Sequence, residues 1–317
     1  MFETFLTTLE QMLRIFLLLS VGYCLNKFLK LPKATETILS KLITILFLPG
    51  LMLYTNVVNF QPEAIASYAG IFLTGAGICF GCMILSYPLG KLFGKKDTYA
   101  QGVFRYAFSF PNTGAIATPL ILAFFGSAGL FQFNLFWLVA NVLTYTWGIV
   151  QLQPKSCQST LKDTLMKCVN PNTVAMIGGM ILGALGAKEW IPTVLLTTTQ
   201  EVGNCYVVAG LLLTGFTIAD YPIREIIGNI KVYLFALIRL VLIPGFFLAL
   251  LFLLRLPAEI CVIASLVLAS PCGMNVVIFP AVYGQDCKTG ASMLLVSSLF
   301  SVITVPVIYA IVQTLIV

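Results

Sequence analysis

Windows of about 20 apolar residues recur along this chain, separated by short polar gaps. That length matches a helix crossing the hydrocarbon core of a bilayer. The pattern predicts ten spans: 6–27, 37–58, 65–90, 102–125, 129–151, 169–187, 191–219, 229–254, 258–283 and 289–315. The gaps are too short to hold a second, extramembranous domain. The first residues lack a basic start and a small-residue cleavage site, so Phe5 to Leu29 reads as a retained first span.

The basic residues orient these spans. With the N-terminus outside, 14 of the 18 Lys and Arg fall at the inner loops and nearby helix ends: Lys27, Lys30, Lys33, Lys41, Lys91, Lys95, Lys96, Arg105, Lys155, Lys162, Lys167, Arg224, Lys231 and Lys288. Only Arg14, Lys188 and Arg255 fall outside, and Arg239 lies within a span. This asymmetry predicts a multi-pass protein of the plasma (inner) membrane with both termini on the non-cytoplasmic side.

Composition agrees. The chain is 59% hydrophobic and 9% charged, against about 25% charged in soluble domains. The net charge of +6 sits in the loops, so no nucleic-acid partner is expected. Histidine is absent, and the cysteines, including Cys79 and Cys82 at CxxC spacing, lie mainly in apolar runs where thiols pack as small hydrophobes. No cofactor or metal is expected, and no nucleophile–base arrangement or phosphate loop suggests an enzyme.

Shifting the chain by about 160 residues lays Pro111 on Pro271 and the first five spans on the last five. Five is an odd number, so the second copy enters the membrane from the opposite side. The expected architecture is therefore all-α: ten transmembrane helices in two inverted five-helix repeats, 1–160 and 161–317. The fourth and ninth helices are broken. Paired interrupted helices in inverted halves point to a transporter site.

The breaks are Phe110-Pro111-Asn112-Thr113-Gly114, with Pro119 beyond, and Pro271-Cys272-Gly273-Met274-Asn275, with Pro280 beyond. Proline removes a donor and glycine loosens the backbone. A membrane tolerates the freed groups only beside protein or a watery cavity. Half-helix N-termini suit a carboxylate; the candidate substrate residues are Pro111, Asn112, Thr113, Gly114, Pro271, Gly273 and Asn275. The alternative is a pair of kinks whose asparagines satisfy each other and the broken backbone. Arg239, deep in its span, needs a cavity or a partner; Glu201 is the candidate partner, and a structural pair competes with a role in coupling or substrate charge. Pro49 is expected to break the second span and, with Gln200 and Asn204, to line the cavity, or else merely to kink the helix. Gly77-x-x-x-Gly81 and Gly179-x-x-x-Gly183 fit close helix packing.

At these residues the chain resembles the auxin efflux carrier family, which includes the plant PIN carriers and bacterial permeases for malate, malonate and related acids. The likeness rests on Asn112-x-Gly114…Pro119-Leu120…Phe125-Gly126 and on Pro271-x-x-x-Asn275…Tyr283-Gly284-x-Asp286. Arg239…Pro244 and Asn170-Pro171 with Gly178 also fit. The resemblance implies a fold like that of bile-acid sodium symporters and sodium/proton antiporters. Helices 1, 2, 6 and 7 would form a scaffold, often dimeric, and helices 3–5 and 8–10 a moving transport unit. Pro111, Asn112, Pro271 and Asn275 would hold the substrate carboxylate. The short loop from Gln151 to Val169 departs from the large plant carriers and turns the expected cargo away from auxin.

The expected function is thus an alternating-access carrier for small organic mono- or dicarboxylates, with proton or sodium coupling open. The rivals are a sodium-coupled symporter of the bile-acid type, for which acidic ligands are not evident, and a non-transporting receptor or channel.

Overall fold

A computed structural model describes residues 2–154, 171–219, 229–283, 285 and 288–316. Lys155, Lys162, Lys167, Arg224, Asn170, Gly284, Asp286 and most of the Gln151–Val169 loop lie outside the described residues. The backbone is helical and forms no strand among the described residues. In chain order the helices are α1 (Phe2–Leu29), α2 (Ala34–Asn59), α3 (Ile65–Gly94), α4 (Thr98–Ser109), α5 (113–125), α6 (127–152), α7 (Pro171–Ala184), α8 (Thr193–Ala219), α9 (Ile230–Leu253), α10 (Ala258–Ala269), α11 (Asn275–Val282) and α12 (Lys288–Ile316). Seven stretches among the described residues are long and apolar enough to cross a membrane. The fold is that of an all-α integral membrane protein.

The expected span 102–125 appears as α4 and α5, separated at residues 110–112, and 258–283 appears as α10 and α11, separated at residues 270–274. α5 and α6 together make an apolar stretch of 40 residues, too long for one crossing at 1.5 Å per residue. It turns at Gly126 (φ 61°, ψ −156°), a conformation that essentially only glycine adopts.

Burial separates two kinds of helix. α1 buries Thr8, Met12, Ile15, Leu19 and Gly22 at helical spacing and exposes Leu13, Leu17, Val21 and Phe28, as a lipid-facing helix does. α10 is buried from Ile260 to Ala269, which explains why it is apolar all round. It packs against α9 and α12 at the centre of the molecule. Around this centre α1 runs along α8, α2 along α7, and α3 along α4 and α6. Gly179 and Gly183 let α7 approach Leu53, Asn56 and Phe60 of α2, so that pair serves packing within the chain. Gly81 likewise lies close against the Phe247 ring of α9, whereas no described atom lies within 4 Å of a Cβ built on Gly77.

Pro49 does not break its span. It follows a π turn, Ile43–Phe47, by two residues, and the helix continues. Pro119 after Thr113–Ala117 and Pro244 after Ile238–Leu242 repeat the arrangement. A proline ring crowds the carbonyl four residues back; a π turn takes up the extra residue and keeps the helix going.

Candidate functional site

The two breaks meet. The Asn112 N–H donates to Pro271 O at 2.7 Å, and the Gly273 N–H donates to Phe110 O at 3.2 Å, so Pro111 and Cys272 form a single antiparallel bridge. Extended backbone thus crosses extended backbone inside the helical body, and each satisfies the other where no helix can. The Cys272 N–H is held by Ser297 Oγ of α12 at 3.1 Å.

Each asparagine has a local task, and they do not bond each other. Asn112 (φ −79°, ψ 68°) sits in an inverse γ-turn, closed by the Thr113 N–H to Pro111 O at 2.9 Å. Its Oδ1 then accepts from the Ala115 N–H at 3.3 Å, capping α5. Asn275 donates from Nδ2 to the Tyr106 hydroxyl at 2.8 Å, tying the start of α11 to the end of α4. One of its two amide hydrogens is therefore already engaged. The N–H groups of Gly114, Met274 and Asn275 have no acceptor among the described residues. Helix N-termini leave such donors unsatisfied, and all three residues border one space.

That space is a cavity of about 220 Å³ lined by Asn112, Thr113, Gly114, Gly273, Met274 and Asn275, with Tyr106, Phe110, Trp137, Asn141, Tyr145 and Tyr206 around them. A smaller cavity of about 90 Å³ adjoins it, sharing Thr113, Gly114, Trp137, Asn141, Tyr145 and Tyr206. Among the described residues, no Asp, Glu, Lys or Arg lines either one. Pro271 holds the crossing from behind through its carbonyl.

Several expected residues lie elsewhere. Glu201 and Asn204 are exposed on α8, Gln200 is half-buried, and none of the three lines either cavity. The α8 face that does is Tyr206, Gly210 and Leu213, and α2 contributes Ile43 and Leu48 rather than Pro49. The Arg239–Glu201 pair does not form. Arg239 is 1% exposed and donates from Nη1 to Leu268 O at 3.0 Å. That carbonyl lies in the last turn of α10, whose helical acceptor role ends at the break. A cation there also opposes the negative end of the helix. The sequence reading missed Asn134, Trp137, Asn141 and Tyr145 on α6. Their spacing of three and four residues puts them on one helical face, a polar and aromatic stripe within an apolar span.

The crossing breaks and the cavity beside them lie inside an apolar, all-helical body, and this chain is a membrane transporter. It belongs to the membrane transport protein family, the auxin efflux carrier family, whose model matches residues 7–309. An uncharacterized transporter from Methanocaldococcus jannaschii is 23% identical over 313 residues, covering 94% of this chain and 96% of that one.

Proposed function

We propose that the protein is an alternating-access carrier for small organic anions, mono- or dicarboxylates, bound where the two breaks cross. The observation that carries the reading is the set of unpaired Gly114, Met274 and Asn275 N–H groups over a cavity lined without any acidic side chain. Backbone donors at helix N-termini stabilise a carboxylate without a fixed counter-charge. The free Asn112 Nδ2 and the Thr113 hydroxyl supply further donors.

On this reading α4 with α5 and α10 with α11 are the broken fourth and ninth of ten spans, and residues 1–160 and 161–317 are inverted repeats. Helices α1, α2, α7 and α8 act as a scaffold, through which two copies associate. The broken helices, with α3, α6, α9 and α12, carry the ligand past it. Both termini lie on the non-cytoplasmic side of the plasma membrane. The cavity's lack of carboxylates favours this over a sodium-coupled symporter of the bile-acid type.

Two measurements test the reading. Purified protein is screened against organic acids by thermal stabilisation, since a ligand of the folded state raises apparent stability. Counterflow in proteoliposomes then separates a carrier, which accelerates labelled uptake when preloaded, from a channel or receptor. Asn112→Ala and Asn275→Ala should weaken binding; retention of parental affinity by both removes the crossing from the site.

A further inference from the structure

The smaller cavity, like the larger one, has no charged side chain in its described lining. Its wall sets the uncharged hydrogen-bonding side chains Asn134, Asn141, Asn172, Thr118, Thr173 and Tyr206 among apolar ones. Within it, Asn134 is 2% exposed and its Nδ2 has no hydrogen-bond partner. A buried amide left unpaired is costly, and few such groups persist in folded proteins. Asn134 is among the residues that line the cavity, so a ligand group held there lies beside its amide.

We infer that this cavity is a second subsite, which takes an uncharged hydrogen-bonding group, a hydroxyl or carboxamide, on the far end of the acid held at the crossing. The inference rests on the proposed carboxylate site and narrows it: the cargo is a monoanion with a polar neutral end. Geometry links the two subsites. They share Thr113 and Gly114 at the start of α5, and Thr118, five residues on, lines only the smaller cavity. Five residues of helix rise about 7.5 Å, the reach of a short-chain acid. A second carboxylate in the smaller cavity would meet no Lys or Arg, so its desolvation would go uncompensated. Asn134 acts there as a specificity-determining residue, discriminating between ligands that share a carboxylate.

The test uses three-, four- and five-carbon monocarboxylates, each with and without a terminal hydroxyl, and succinate. Dissociation constants are measured on the purified full chain. At one chain length the hydroxy acid should bind about tenfold more tightly than its parent, the worth of one buried hydrogen bond, and succinate should bind more weakly than that hydroxy acid. Asn134→Leu should bring the ratio to about one by loss of hydroxy-acid binding. Thr118→Val, near-isosteric on the facing helix, should lower the same ratio and serves if the first variant does not fold. Acids that bind with a ratio near one at every length overturn the second subsite and leave the crossing site standing. A ratio that persists in both variants also overturns it. Failure of every acid to bind overturns the crossing site, and the second subsite with it.

Discussion

Gly114 sits where the two cavities join, and the space beside it is already taken. A Cβ built on Gly114 would lie 2.5 Å from the Tyr206 hydroxyl oxygen and 3.8 Å from the ring carbon that carries it. Ordinary contact needs about 1 Å more for the first pair and nothing for the second. Tyr206 is 7% exposed, so its ring cannot swing into solvent and can give way only within the cavities it lines. Gly114→Ala should therefore destabilise the protein by about 1–3 kcal/mol, the usual cost of overpacking a filled site. In a chain of this size that lowers the apparent Tm by roughly 2–6 °C. Tyr206→Phe removes the offending oxygen, which has no hydrogen bond among the described residues, so that change alone should cost little. Combined with Gly114→Ala it should restore most of the lost stability, giving a coupling about as large as the single-variant loss. The assay is thermal unfolding of the four proteins in one detergent at one scan rate, because unfolding of membrane proteins is commonly irreversible. A Gly114→Ala protein as stable as the parent would refute the close approach. So would a double variant no better than the single one.

Other substitutions probe the remaining features. Tyr106→Phe leaves the Asn275 amide without its 2.8 Å partner and should cost about 1–2 kcal/mol, seen as a lower Tm; Asn275→Leu, which removes the amide left unpaired, should not add to it when combined. Gly126→Ala should cost about 1–3 kcal/mol through its φ of 61° alone, since a Cβ there meets nothing within 4 Å. Gly178→Ala, within α7 and equally unobstructed, should instead raise the Tm slightly, by about 0.4–1 kcal/mol of stability. Arg239→Met should remain folded while counterflow falls, because it removes a buried charge together with its single carbonyl contact; an aggregated product would show that the arginine holds the fold itself.

The sequence made the breaks legible because proline and glycine act locally. Their effect on a helix does not depend on what packs against it, and the order Pro111-Asn112 and Pro271…Asn275 marked both crossings. Rotation about a helix axis was not legible in the same way. The repeat assigns α8 to the same role as α2, yet says nothing of which α8 face turns inward. Asn204 and Tyr206 are two residues apart, roughly 200° round the helix, so choosing the polar one chose the exposed side. Pro49 misled for a related reason. A proline signals a missing hydrogen bond, and only the backbone reveals whether a π turn absorbs it. The α6 stripe of Asn134, Trp137, Asn141 and Tyr145 was readable from spacing alone, but an apolar window hides its few polar residues when scored as a whole.

Arg239 shows how the crossing handles charge. Two half-helices end there and two begin, so partial negative and partial positive ends converge in a space with little water to screen them. Among the described residues, the one deeply buried arginine is set against an ending helix, at Leu268 O, and no acidic side chain lines either cavity to oppose the beginning ones. A carrier of cations would need the reverse, a carboxylate at the starts of α5 and α11. On the proposed reading, with the negative end at Leu268 O covered and the positive ends open, an anion completes this arrangement. On the same reading, the neutral amides and hydroxyls beyond Gly114 decide which anion fits.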